Sequence, residues 1–200
     1  MIIRPVRIIR FPIIGADKMQ TKNKIKLLQQ VILVNEYDEP IGVMEKMEAH
    51  EKGLLHRAFS IFIFNKQGEM LLQQRAAEKY HSANLWTNAC CSHPSPNEKI
   101  DDAAHRRLKE ELGFDTSLTK AFDFTYKTSF NNGLIEHEYD HVYTGTYDAD
   151  IHPNDGEVKD HCFMSMQMIK EKIESESDQY TSWFKIAFPK LEGYLAGLHK

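Results

Sequence analysis

Residues 95–113, SPNEKIDDAAHRRLKEELG, carry the strongest helical pattern in the chain. Ala103, Ala104, Leu108 and Leu112 recur on one face at helical spacing, Asn97 stands where an N-cap belongs, and Gly113 stands where a left-handed C-terminal cap belongs. Upstream, the β-branched run Gln30–Asn35 resumes after a turn as Ile41-Gly42-Val43, and Arg57–Phe64 is followed by Met70–Gln74 across Asn65-Lys66-Gln67-Gly68. Downstream, Ala121–Ser129 and Leu134–Tyr147 flank Asn131-Asn132-Gly133, a hairpin signal because Asn-Gly reaches positive φ cheaply. Cys162–Met166 reads as a further strand, and Gln167–Ser175 and Ser182–Leu198 carry helical periodicity with charged outer faces. Strand hairpins around a central helix, with no repeat and no composition break, predict one α+β domain: a mixed β-sheet flanked by helices.

Composition narrows the function. The chain has 200 residues, 42% hydrophobic and 27% charged, and a formal charge of −4, so it builds a real core and presents no basic surface for coating a polyanion. Nucleic acid is therefore not an expected partner, and any phosphate recognition is local. No apolar run reaches the roughly 20 residues a spanning helix needs. Three cysteines, two of them neighbours at Cys90 and Cys91, do not make a disulfide framework, and a reducing cytoplasm is the expected compartment. The opening Met1–Ile14 is apolar but interrupted by Arg4, Arg7 and Arg10, which suits an extension or a docking strand better than a secretory signal.

Three clusters hold chemistry. In Trp86-Thr87-Asn88-Ala89-Cys90-Cys91-Ser92-His93-Pro94, Cys91 and His93 fall on one face of an extended chain and Cys90 on the other. A lone cysteine usually packs as a small hydrophobe, but a histidine two residues on changes the weighting. His50 and His56 converge only if a loop or the start of a strand bends the chain around Gly53. Glu136 and Glu138 share a strand face while His137 points away, and two carboxylates so placed need a cation or a proton between them. Taken together, His50, His56, His93, Glu136 and Glu138 form a three-nitrogen, two-carboxylate set suited to Mn²⁺ or Mg²⁺, or to Zn²⁺ in a less usual geometry. On the helix, Arg107 and Glu111 stand four apart. They make either a plain helical ion pair or part of a site in which Glu111 takes a hard cation while Arg107, Arg75, Lys79 and Lys46 approach a phosphate.

These residues resemble the Nudix fold and, within it, the type 1 isopentenyl-diphosphate delta-isomerases, over about Gln30 to Ala187. Residues 106–114 are similar to the Nudix box but carry Arg107 where the box has its first Glu, and Ser92 where it has its leading Gly. Hydrolytic members use several carboxylates there, so the damaged box implies a retained fold with a changed reaction. Trp86-Thr87-Asn88, Cys91-x-His93-Pro94 and Glu136-x-Glu138 fall where the isomerase pattern has them. The resemblance implies a Nudix-like isomerase domain over 30–200 behind an N-terminal extension or edge segment over 1–29. It implies Cys91 and Glu138 as the catalytic pair with Tyr126 assisting Glu138, and His50, His56, His93, Glu136 and Glu138 around one divalent metal. It also implies Glu111 on a second Mg²⁺ borne by the substrate, Lys46, Arg75, Lys79 and Arg107 on the diphosphate, and Trp183 facing the hydrocarbon.

The implied reaction shifts the double bond of isopentenyl diphosphate to give dimethylallyl diphosphate through a carbocation-like state. Glu138 with Tyr126 is expected to protonate the terminal methylene and Cys91 to accept the proton lost elsewhere. The alternative is a Nudix hydrolase of a nucleoside diphosphate derivative. The expected partner is a small isoprenoid diphosphate, with no membrane association, for a monomer or weak homo-oligomer.

Overall fold

β-branched and aromatic runs broken by turn residues become the strands of one sheet in the computed structural model, which describes residues 30–198. β1 (Gln30–Val34) and β2 (Pro40–Glu45) form the first hairpin; α1 (Lys46–Lys52), β3 (His56–Phe64) and β4 (Met70–Arg75) follow. β5 (Trp86–Asn88) and β6 (Cys90–Ser92) lead into α2 (Ile100–Leu112), and the long hairpin of β7 (Leu118–Ser129) and β8 (Ile135–Thr146) precedes β9 (Val158–Met164), α3 (Met166–Ser175) and α4 (Ser182–Leu198). The expected mixed sheet flanked by helices is therefore what forms. No described helix is long and apolar enough to cross a membrane. The expectations for 1–29 fall outside the described residues.

β3 is the trunk of the sheet. It runs parallel to β8 and antiparallel to β6, while β4 carries β5 and β9 and β8 carries β7. Alternation along β3 sends Phe59, Ile61 and Ile63 to one face, where they pack with Ala104, Leu108 and Leu112 of α2, and Phe62 to the other, where it packs with Phe184, Phe188 and Leu191 of α4. The sheet is thus covered on both faces, and its central strands read as apolar runs for that reason.

One local expectation needs correction. α2 is capped at Lys99, not at Asn97, which sits in the left-handed region at φ 67 one turn earlier. The carboxylate of Glu98 accepts from the amide of Ser95 and from Arg106, so the loop closes on Glu98 and the helix starts after it. His50 and His56 converge as expected, through the bend at Gly53, at φ 59, and the start of β3 at His56; the seven-residue helix α1 that carries His50, capped by Glu45 and Gly53, was not expected. Two turns are too short to register as periodicity.

Gly113 ends α2 at φ 78, and a β-carbon there would run into the carbonyl oxygen of His152. Gly113→Ala is expected to destabilise the fold by at least about 1–3 kcal/mol, from left-handed strain with the clash added, seen as a lower urea midpoint at unchanged slope.

Candidate active site

Strand register assembles the site. His56 pairs with Glu138 across β3 and β8, Tyr126 pairs with Glu138 across β7 and β8, and Ser60 pairs with Cys91 across β3 and β6. Tyr126, Glu138 and His56 thus form one row over three strands. β6 then delivers His93, whose Nε2 lies 3.0 Å from Glu138 Oε1. α1 delivers His50, whose ring centroid is 4.8 Å from that of His56 and 5.8 Å from that of His93.

One cavity brings the expected groups together: Lys46, Arg75, Lys79, Arg107, Glu111, Cys91, His93, Tyr126, Glu136, Glu138 and Trp183 all line it. Cys91 and Glu138 therefore share one hollow, the condition on which the expected chemistry depends. His50 and His56, both fully buried, lie behind that wall.

The histidines are arranged as metal ligands are. Nδ1 of His50 is 2.6 Å from the carbonyl of Lys46, and Nδ1 of His56 is 2.8 Å from that of Leu54. Each carbonyl takes the Nδ1 proton and fixes the tautomer with the Nε2 lone pair turned inward. Both Nε2 atoms are buried with no hydrogen-bond partner, which a bound cation would satisfy. The donor atoms of His50, His56, His93 and Glu138 lie within 4.8 Å of one another, and those of His50, His81 and Glu136 form a second such group. Glu136 thus enters through a histidine that the sequence reading missed.

Burial lowers the pKa of His50 to about 4 and of His93 and His81 to about 3, so all three present neutral rings. Burial would raise Glu138, but the neighbouring imidazoles of His56 and His93, the latter within hydrogen-bond distance, hold it well below the usual carboxylate range. Burial and the charge of Glu138 push Glu136 well above that range. Tyr126 donates to both, at 2.6 Å to Glu138 and 3.2 Å to Glu136. The buried carboxylates carry less than two charges between them until a cation arrives.

Cys90 and Cys91 separate as the alternation requires. Cys90 is fully buried among the α2-side residues, whereas Cys91 packs on the α4 side. The Cys91 thiol is 3.0 Å from Asn88 Oδ1 and 3.3 Å from Ser60 Oγ, and Ser60 donates to Asp140 at 2.7 Å. Burial first, and then the Asp140 charge, push the thiol pKa up against the opposing hydrogen bonds with Ser60 and Asn88. Asp140, itself raised to about 8 by burial and by Glu138, was missed in the sequence reading, although it continues the Glu136, Glu138 alternation along the strand. Asn88 belongs to the Trp86-Thr87-Asn88 stretch that marked the resemblance but was given no role there, and Ser60 carried no sequence signal of its own.

The basic groups gather at the mouth, but not as free cations. Arg107 donates to Glu111 at 2.6 Å, to Glu110 at 2.7 Å and to Glu157 at 3.2 Å, and Lys79 also pairs with Glu157. The helical ion pair of Arg107 and Glu111 therefore forms, and it lies on the cavity wall. Arg75 donates to the His81 carbonyl and stacks its guanidinium 5.0 Å from the Trp183 ring, while Lys46 lies 5.0 Å from the Tyr80 ring. Burial lowers the Lys46 pKa, opposed by Glu138.

The chain is similar to known proteins over most of its length. The NUDIX domain profile matches residues 54–184. Isopentenyl-diphosphate Delta-isomerase from Pectobacterium atrosepticum is 49% identical over 167 residues, covering 84% of this chain and 93% of that protein. Isopentenyl-diphosphate Delta-isomerase 2 from Photorhabdus laumondii is 50% identical over 155 residues, covering 78% of this chain and 88% of that protein. Among solved structures, the Deinococcus radiodurans protein DR0079 superposes with a TM-score of 0.61 at 19% identity, over 73% of this chain and 89% of that one, a likeness of fold.

Proposed function

The chain belongs to the isopentenyl-diphosphate Delta-isomerase family on the Nudix fold, and from that membership we propose that it converts isopentenyl diphosphate to dimethylallyl diphosphate with Cys91 and Glu138 as the proton-moving pair. The observation that carries the proposal is the single cavity holding a thiol, a carboxylate with its phenol, and four basic side chains. One end suits a diphosphate and the other a five-carbon chain.

The reaction adds a proton to the terminal methylene, leaving positive charge on the tertiary carbon, and removes a proton from the carbon next to the diphosphate-bearing one. One proton enters and one leaves, and the diphosphate ester stays intact. Lys46, Arg75, Lys79 and Arg107 bind the diphosphate, with Glu111 on its Mg²⁺. They fix the chain so that its alkene lies between the acid and the base. Trp183 offers its π face to the developing cation, an attraction of roughly 2 kcal/mol in a dry site. The aromatic walls exclude water, which would capture the cation as an alcohol.

Cys91 and Glu138 hold one active proton between them. If Glu138, assisted by Tyr126, protonates the methylene, Cys91 takes the second proton, and the cycle ends with a thiol and a carboxylate. That is the protonation state the fold favours in the absence of ligands. It is the form ready for the reverse direction, and proton exchange with solvent resets it.

His50, His56, His93, Glu136 and Glu138 would hold a divalent metal, Mn²⁺, Mg²⁺ or Zn²⁺, and the orphaned Nε2 atoms of His50 and His56 support that reading. When bound, it supplies positive charge that offsets the buried carboxylates and fixes their orientation. A thiol that must titrate freely belongs in a reducing cytoplasm.

Hydrolysis has less support. Arg107 stands where hydrolytic members place a carboxylate, and its guanidinium holds Glu110 and Glu111. Incubation with isopentenyl diphosphate, Mg²⁺ and Mn²⁺ in heavy water, followed by NMR, tests the proposal. Dimethylallyl diphosphate carrying deuterium in a methyl group is expected, and phosphate release without isomerisation overturns the assignment.

A further inference from the structure

His81 is the histidine on the cavity wall that the chemistry above leaves without a task. It lies in the connection between β4 and β5, with its side chain 5% exposed. Its ring stacks on Phe130 at 4.8 Å and 19°, and meets Tyr80 at 4.3 Å and Trp183 at 5.6 Å edge-on, so three aromatic rings fix its plane. Packing alone would explain a phenylalanine here. The two ring nitrogens suggest more.

Nδ1 has the Ser82 hydroxyl at 3.3 Å, and Nε2 stands 3.4 Å from Glu136 Oε1. This repeats the pattern of His50 and His56, each of which ties up Nδ1 locally and turns Nε2 inward. The spacing repeats too. Nitrogen and carboxylate oxygen lie 3.0 Å apart for His93 and Glu138, 3.6 Å for His56 and Glu138, and 3.4 Å for His81 and Glu136. Adjacent donors around an octahedral ion with bonds of about 2.1 Å stand about 3 Å apart. Tyr126 engages Oε2 of both glutamates, leaving both Oε1 atoms to the histidines.

The two donor groups share His50. That residue has only Nε2 to give, because Nδ1 is bonded to the Lys46 carbonyl. A single nitrogen does not serve two ions, and the six donors do not all lie within 4.8 Å of one another as they stand, so one ion would draw the two groups together around His50.

We propose that His81 is a sixth protein donor to that shell, so that His50, His56, His81, His93, Glu136 and Glu138 enclose one divalent ion with no position open to water. The inference rests on the divalent-metal reading above. A filled shell suits a site that must keep water from a carbocation, whereas hydrolytic metal chemistry needs an open position.

The test uses the full chain, stripped of metal and titrated with Mn²⁺, and reads chelator competition and water-proton relaxation. Wild type is expected to bind one Mn²⁺ with no exchangeable water on it. His81→Ala is expected to lose affinity at least about tenfold and to gain one exchangeable water. His81→Phe keeps the aromatic packing, guards against a folding defect in the alanine variant, and is expected to lose affinity in the same way. Unchanged affinity and relaxivity in His81→Phe overturn the inference, as does an exchangeable water on the wild-type ion. Failure of wild type to bind Mn²⁺, Mg²⁺ or Zn²⁺ at all overturns the metal reading itself, a result separate from the first two.

Discussion

Replacing Cys91 with alanine is expected to lower kcat by about 10²–10⁴-fold, the usual worth of a positioned acid or base, while Mn²⁺ affinity and diphosphate binding stay close to wild type. The sulfur hydrogen-bonds with Asn88 and Ser60, not with the metal-donor side chains, so its loss removes a proton carrier and leaves their hydrogen bonds in place. Cys90→Ala is the control. That side chain lies on the opposite face among Leu108, Leu112 and Phe59, so the variant is expected to lose some stability but to keep turnover at saturating substrate. Single-turnover kinetics with isopentenyl diphosphate, together with inorganic pyrophosphate as a competing ligand, separate chemistry from binding. Near-normal turnover in Cys91→Ala, or a dead Cys90→Ala, refutes the assignment of the thiol.

Glu138→Gln is expected to do greater damage, because one side chain has two duties. Its Oε1 faces His93 and His56, and its Oε2 accepts from Tyr126 at 2.6 Å. The amide carries no charge to attract a cation and no proton of useful acidity. Metal affinity is expected to fall at least about tenfold and turnover about 10²–10⁴-fold even when metal saturates the site. Saturating metal is the discriminating condition. If excess Mn²⁺ restores turnover, Glu138 is a ligand alone and the proton falls to another group. Tyr126→Phe removes the phenol and keeps the carboxylate, and it is expected to lose less, about 10–100-fold.

Much of the architecture was legible because its signals are local. The apolar stripe of α2, its terminal Gly113, the Asn-Gly hairpin and the β-branched runs each depend on neighbours a few residues away, and each expected element forms within a few residues of its reading. β9 shows the limit. It starts at Val158, four residues before the expected Cys162, because its first residues alternate with exposed polar side chains and earn their place by pairing with β4. α1 shows another limit, since its two turns hold by the caps at Glu45 and Gly53 rather than by a periodic face.

The sequence by itself determined the chemical inventory: a thiol and an imidazole on one face, paired acids on another strand, and cations at helical and loop positions, along with a resemblance that assigned their tasks. Only the tertiary structure decided which of these meet. The parallel register of β3 against β8 sets His56 beside Glu138, 82 residues away by the numbering, and the antiparallel register of β3 against β6 sets Ser60 beside Cys91. His81, Asp140 and Glu157 joined the site in the same way. Their roles come from low-dielectric burial and from partners far along the chain, and neither quantity is written in local spacing.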